Sequence, residues 1–137
     1  MKLFLDSGAF IARARREDPH HEAAMDTFSG ISGGDLPYKL LYTSNYVIDE
    51  TVTFLLYEAG PRVAVAVLRA LRSSPYLVVL HVSGEVEDTA DEFFARFASS
   101  RISYTDCTTK ALMEQEAIDT AFAFDRDLEI LGVRRIP

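Results

Sequence analysis

Two rhythms of apolar and polar residues alternate along the chain. Short apolar runs that end at a polar residue read as buried strands, and longer stretches with apolar residues three or four apart read as helices. The strand-like runs are KLFL (2–5), LLYT (40–43), PYLVVLHV (75–82) and TAFAF (120–124), with a further short strand near GVRRI. A helix is expected from Ser7 to about Arg16, and a second from Pro19 to near Gly30, because proline suits a first turn and glycine a helix end. ISGGDLPYK reads as a loop. Ser44 or Asn45 can cap a helix running to about Glu58, and Gly60 and Pro61 break that helix and open another through Arg72. VAVAV (63–67) alternates like a strand, but its alanines and the leading Pro61 favour helix. A helix over 83–98 lines up Val82, Val86, Ala90, Phe93 and Phe97 on one face. Its acids Glu85, Glu87, Asp88, Asp91 and Glu92 fall mostly on the other side and read as a solvated face. A last helix covers about 105–117.

Strands that alternate with helices predict an α/β fold with a mainly parallel sheet of four to five strands, covered on both faces. At 137 residues one domain is expected, with 48% hydrophobic and 26% charged residues, as in soluble globular proteins. No apolar run approaches the roughly 18 residues of a membrane span. The N-terminus has one lysine and three apolar residues before Asp6, so a signal peptide is not expected. Cys107 is the single cysteine, so neither an internal disulfide nor a cysteine-rich zinc site can form, and a cytoplasmic location is expected. The net charge of −7 argues against adhesion to nucleic acid through a basic surface. Two divalent cations held by carboxylates would bring −7 to −3 and weaken that objection.

In folds of this class ligands gather at the carboxyl ends of the strands. Asp6 directly follows KLFL and Asp125 directly follows TAFAF, which puts both on one edge of the sheet. Asp106 opens a helix in ISYTDC, where backbone N–H groups favour negative charge, and Glu50 lies on the mostly apolar helix NYVIDETVTFLL. Close carboxylates repel unless a cation neutralises them, and hard oxygen ligands suit Mg²⁺ or Mn²⁺. Such a site can activate water for phosphodiester cleavage. Each acid also has a plainer reading. Asp6 can be a helix N-cap, and Asp106 follows Ser103 at capping-box spacing. Asp49 competes with Glu50 on the helical wheel. Asp127 competes with Asp125, whose carboxylate can bond its own backbone in the turn FDRDL.

Three stretches, LFLDSGAFIA, SNYVIDETVTFL and ISYTDCTTKALMEQEAIDTAFAFDRDLEILG, together resemble a PIN-domain ribonuclease of the VapC-like toxin type over nearly the whole chain. The resemblance implies a single PIN-like domain over 1–137, built as a three-layer sandwich. It implies an acidic site of Asp6, Glu50, Asp106 and Asp125 that binds Mg²⁺ or Mn²⁺ and cleaves RNA. Asp6 and Asp106 match the positions that contact metal most directly. Glu50 and Asp125 match those that complete the shell, support a second ion or orient the attacking water. Ser7 matches a frequent small polar neighbour of the first aspartate. A homodimer and silencing by a cognate antitoxin are implied in the same way. Asp127 departs from the pattern, because an aromatic residue or histidine is more usual there.

RNA needs positive charge against its phosphates. Arg13, Arg15 and Arg16 follow the strand–helix unit that carries Asp6, and with Ser7 they are the expected substrate contacts. Arg62, Arg69 and Arg72, and the pair Arg134 and Arg135, read as solvated positions. Tyr46, Tyr57 and Tyr104 offer rings on which bases can stack, although aromatic residues are more often core. His20 and His21 are neighbours on a helix and cannot both face one ion, so structural roles are expected. His81 is expected to pack in its strand and Cys107 to act as a small buried hydrophobe. Two rival classes are another metal-dependent nuclease or phosphatase and a catalytically silent partner-binding domain. A dehalogenase-type phosphatase would want Asp-x-Asp after the first strand, whereas Ser7 and Gly8 follow Asp6.

Overall fold

The computed structural model covers residues 1–137 and is built on one five-stranded parallel sheet in the order β3–β2–β1–β4–β5. The strands are β1 (Lys2–Leu5), β2 (Leu40–Ser44), β3 (Leu77–Leu80), β4 (Thr120–Phe122) and β5 (Arg134–Ile136). The helices are α1 (Ser7–Ala14), α2 (His21–Gly33), α3 (Asn45–Glu58), α4 (Pro61–Ser73), α5 (Gly84–Arg96), α6 (Tyr104–Gln115) and α7 (Asp127–Ile130). β1 lies at the centre, with Phe4 paired to Tyr42 on one side and to Ala121 on the other. Strands buried on both faces need continuous apolar sequence, and Leu3, Phe4 and Leu5 supply it.

Parallel strands require right-handed crossovers. The chain moves outward from β1 to β2 and β3, then returns to the other side of β1 to form β4 and β5. That reversal places α1–α4 on one face and α5–α7 on the other. Helix contacts follow this division, pairing α1 with α2 and α3, α3 with α4, and α6 with α5 and α7. α3 also reaches α6, where the rings of Tyr46 and Tyr104 lie 6.5 Å apart. One apolar cluster of 26 buried residues runs through the sheet and both helical layers. No helix is long and apolar enough to cross a membrane.

The helix–strand order matches the expectation, including helix over VAVAV, while several boundaries move. α1 stops at Ala14 instead of Arg16. Pro19 stands in a turn ahead of α2, whose first residue is His21. Gly30 does not end α2; Leu36 packs over it, 3.2 Å from where a Cβ would stand, and the helix continues to Gly33. It closes at Gly34 with φ of 84°, a left-handed conformation that glycine adopts at little cost. β3 is only Leu77–Leu80, and β4 ends at Phe122, two residues short of the expected Phe124. The expected helix over 83–98 is Gly84–Arg96 followed by a 3₁₀ turn, and 105–117 becomes Tyr104–Gln115. The four-residue α7 was not expected.

Serine side chains cap three helices. Ser44, Ser83 and Ser103 accept the backbone N–H of Val47, Val86 and Asp106. Two bonds tie down the carboxyl edge of the sheet: Thr43 Oγ1 donates to the Leu5 carbonyl at 2.9 Å, and Val82 N–H donates to Asn45 Oδ1 at 3.0 Å. Phe4 is fully buried and Tyr76 is exposed. In urea unfolding, Phe4→Ala should cost about 3–5 kcal/mol, whereas Tyr76→Ala should stay within about 0.5 kcal/mol.

Candidate active site at the carboxyl edge

The chain leaves β1 toward β2 and later returns on its other side as β4, so the carboxyl ends of β1 and β4 flank the topological switch point where α/β folds open a crevice. Asp6 stands there. Its N–H donates to the Phe122 carbonyl at 3.0 Å, which fixes the residue against the end of β4. Its backbone has N-cap geometry, with φ −87° and ψ 166°, but its side chain makes no capping hydrogen bond. Asp6 is only 5% exposed, and its Oδ1 has no hydrogen-bond partner. Helix capping therefore does not account for this carboxylate.

An orphaned carboxylate oxygen in the interior is costly. Burial raises the Asp6 carboxyl to about 7; the Ser7 amide opposes the shift, and the charges of Glu50, Asp125 and Asp127 add to it. Asp106, 7% exposed, is raised to about 8, first by burial and then by the charges of Asp6, Glu50, Asp125 and Asp127. Each thus feels the other acids across the crevice. Ser103 Oγ accepts the Asp106 N–H at 3.1 Å, which is half of a capping box. The Asp106 carboxylate does not return the bond and stays available.

Glu50 is half-buried, and its Oε1 accepts the hydroxyl proton of Ser7, itself only 8% exposed. Asp49, one residue earlier, is exposed and accepts only a long 3.5 Å bond from Thr53 Oγ1. The contact with Ser7 therefore distinguishes the two acids and favours Glu50. Ser7, expected as a substrate contact, is engaged with Glu50.

Because β4 ends early, Asp125 does not directly follow it; Ala123 and Phe124 intervene. Asp125 is exposed, and its Oδ1 accepts the Asp127 N–H at 2.9 Å, the self-bonding turn foreseen as its plainer reading. Asp127 is half-buried and opens α7; burial and the adjacent Asp125 raise its carboxyl. Both acids act on Asp6 and Asp106, so the structure brings five carboxylates to this edge. Arg135 braces their loop, bonding Glu129 at 2.9 Å and the Ala123 carbonyl at 3.1 Å, and so serves the fold.

The all-oxygen donor set and the orphaned Asp6 Oδ1 suit a hard divalent cation. No three of the acids close into a ready-made cage, in keeping with the mutual repulsion of carboxylates that lack a counter-charge. A hollow of about 1080 Å³ lies elsewhere; Leu5, Phe10, Phe28, Leu36 and Leu71 line it, and no acid does.

Arg13, Arg15 and Arg16 lie at or just past the far end of α1, roughly 10 Å or more along the helix from Asp6. Arg13 rests over the ring of Phe28 at 4.6 Å, and Arg15 pairs with Glu17 at 3.3 Å. Arg16 is exposed. His21 is structural as expected, its Nδ1 2.7 Å from the Ala12 carbonyl, and Cys107 is fully buried. His81 lies past the end of β3 and is exposed, so it does not pack. Two acids of α5 are more than a solvated face: Glu87 accepts the Tyr46 hydroxyl at 3.2 Å and Asp91 that of Tyr104 at 2.7 Å. Sequence periodicity marks those acids only as outward-facing. It also carries no signal for the stacking of His20 on Phe124, which pairs residues from opposite ends of the chain.

Folded Asp6 and Asp106 keep their protons to about 7 and about 8, whereas unfolded aspartates release theirs at about pH 4. The folded state then binds more protons, so stability is fully present below pH ~4 and is lost as pH rises through ~8. Circular-dichroism melting of the metal-free protein should show Tm falling across this window. Asp6→Asn and Asp106→Asn should each flatten the fall. A wild-type Tm that rose with pH there would contradict the assignment.

A PIN domain family model matches residues 3–133. The 23S rRNA-specific endonuclease VapC20 of Mycobacterium tuberculosis is 32% identical over 130 residues, covering 95% of this chain and 94% of that protein. A VapC ribonuclease of Archaeoglobus fulgidus is 29% identical over 117 residues, covering 84% and 72%. The crystal structure of Mycobacterium tuberculosis VapC20, described as a sarcin-ricin loop cleaving toxin, superposes with a TM-score of 0.87 at 30% identity, covering 96% of this chain and 95% of that one. Sequence and fold agree over nearly the full length, and this chain belongs to the PIN domain family as a VapC-like member.

Proposed function

We propose that this chain is an endoribonuclease that depends on Mg²⁺ or Mn²⁺ and serves as the toxin of a toxin–antitoxin pair. One observation carries the reading: the buried Asp6 carboxylate at the switch point has an Oδ1 with no hydrogen-bond partner and lies within the fields of Glu50, Asp125 and Asp127. An ordinary structural aspartate would be hydrogen-bonded. The names and close likeness of the VapC relatives support RNA as the substrate.

In this reading Asp6 and Asp106 are the inner ligands, and Glu50 with Asp125 or Asp127 completes the shell. These residues would hold a divalent cation, which when bound would supply a more acidic water and charge stabilisation at the phosphate. The chain's own part is placement. Ser7 donates to Glu50 and holds its carboxylate toward the crevice. The Asp6 N–H bond to β4 fixes one wall, and the Ser103 cap fixes Asp106 on α6. Arg135 holds the loop of Asp125 and Asp127.

A cytoplasmic location and silencing by a cognate antitoxin complete the proposal. Exposed apolar side chains on α3 and α4, among them Phe54, Leu56, Val65 and the 81% exposed Tyr57, support a homodimer.

Incubation with a fluorophore–quencher RNA oligonucleotide should give cleavage with Mg²⁺ or Mn²⁺ and none with excess EDTA. Ser7→Ala should lose roughly 10–100-fold, the usual cost of an outer partner to a metal ligand, and Asp6→Asn should lose more. Cleavage that persists in chelator, or that survives Asp6→Asn, removes the catalytic assignment.

A further inference from the structure

The turn ahead of α2 carries a feature that the acids do not use. His20 is exposed, and its ring lies flat on that of Phe124, with centroids 4.4 Å apart and planes 7° from parallel. Its hydrogen bonds run through its backbone: the N–H donates to Asp18 Oδ1 at 2.8 Å, and the carbonyl accepts from the Ala24 N–H at 2.9 Å. His21 anchors the same turn through the Ala12 carbonyl. Phe124 is gripped in turn, standing edge-on to Phe122 at 5.8 Å. It also packs against Gly8, where a Cβ would lie 3.8 Å from Phe124 Cδ2. The stack is thus built on the first turn of α1, just after Asp6, and on the residue immediately before Asp125. Phe124 covers one face of the imidazole, no other ring stacks on it, and His20 stays exposed.

We propose that this stack is a nucleobase subsite: an unpaired base of the RNA substrate lies on the face of His20 away from Phe124 and extends the Phe124–His20 column beside the acids. The proposal rests on the ribonuclease reading above, which places RNA at this edge. Base–aromatic stacking tolerates any base and needs a ring that is both accessible and held in place. His20 meets both conditions through its backbone anchors and its bed on Phe124. A base inside a duplex has both faces covered by its neighbours, so this subsite favours unpaired nucleotides next to the cut. The rival role for an exposed histidine here is a charged contact to phosphate. The two separate cleanly, because a phosphate contact tolerates lysine and a stack tolerates phenylalanine.

The test measures binding, in an Asp6→Asn background, of a short single-stranded RNA that carries 2-aminopurine, with the same RNA paired to its complement as control. His20→Ala should weaken single-strand binding about tenfold and diminish the 2-aminopurine quenching. His20→Phe should restore both, His20→Lys neither, and the duplex should respond to none of them. Thermal melting confirms that each variant is folded, and the Phe variant keeps the test decisive if the Ala variant is not. Unchanged affinity in His20→Ala, or restoration by Lys where Phe fails, overturns the subsite. Cleavage by the wild type alongside unchanged His20→Ala affinity sinks the subsite alone. Absence of cleavage in the wild type alongside a positive stacking result sinks the nuclease reading alone.

Discussion

The interior leaves one oxygen of the Asp6 carboxylate without a partner. The Asp6 backbone is bound to the end of β4, its position is that of an N-cap, and its Oδ1 is left without a hydrogen bond. Elsewhere the chain satisfies its helix starts with serine, at Ser44, Ser83 and Ser103. A serine after β1 would have met the same local need without burying a charge. The cost of the aspartate is visible in Asp6 and Asp106, whose carboxyls are raised to about 7 and about 8 by burial and by the neighbouring acids. A cation of double charge is the simplest species that reverses that penalty.

The fold explains why these acids meet at all. A parallel sheet sends every strand toward the same edge, and the reversal of direction at β1 opens the crevice between β1 and β4. Asp6 arrives at the end of a strand, Glu50 on the second turn of α3 and Asp106 on the first turn of α6, and Asp125 and Asp127 in the loop past β4 and at the start of α7. Short polar contacts then make the edge firm: Thr43 to β1, Asn45 to the end of β3, Ser7 to Glu50, and Arg135 to the Ala123 carbonyl. The stack of His20 on Phe124 shares this framework, which is why it stands beside the acids and not in the large apolar hollow.

Much of this was legible in the sequence, for physical reasons that differ by element. The central strands β1 and β4 announced themselves because a strand buried on both faces must be apolar throughout. The ends of α2 did not: Pro19 stands in the turn before the helix, and Gly30 makes room for Leu36 while Gly34 closes the helix. Asp6 stayed ambiguous in sequence because a capping and a metal-binding aspartate share the same backbone position, and only its missing hydrogen bond separates them. Glu50 and Asp49 were indistinguishable on a helical wheel until Ser7 took one of them. The acids Glu87 and Asp91 looked merely solvated, since periodicity cannot show tyrosines arriving from α3 and α6. The fourth acid shared its place with Asp127 because β4 ends early and the loop brings both carboxylates to the edge.

The central claim is that these scattered acids form one cation site. Anomalous X-ray diffraction from crystals grown in Mn²⁺ tests it most directly. The account predicts a peak within coordinating distance of both the Asp6 and Asp106 carboxylates, with Glu50, Asp125 or Asp127 on its flank. No peak there at saturating Mn²⁺, or manganese bound only elsewhere on the surface, would contradict it.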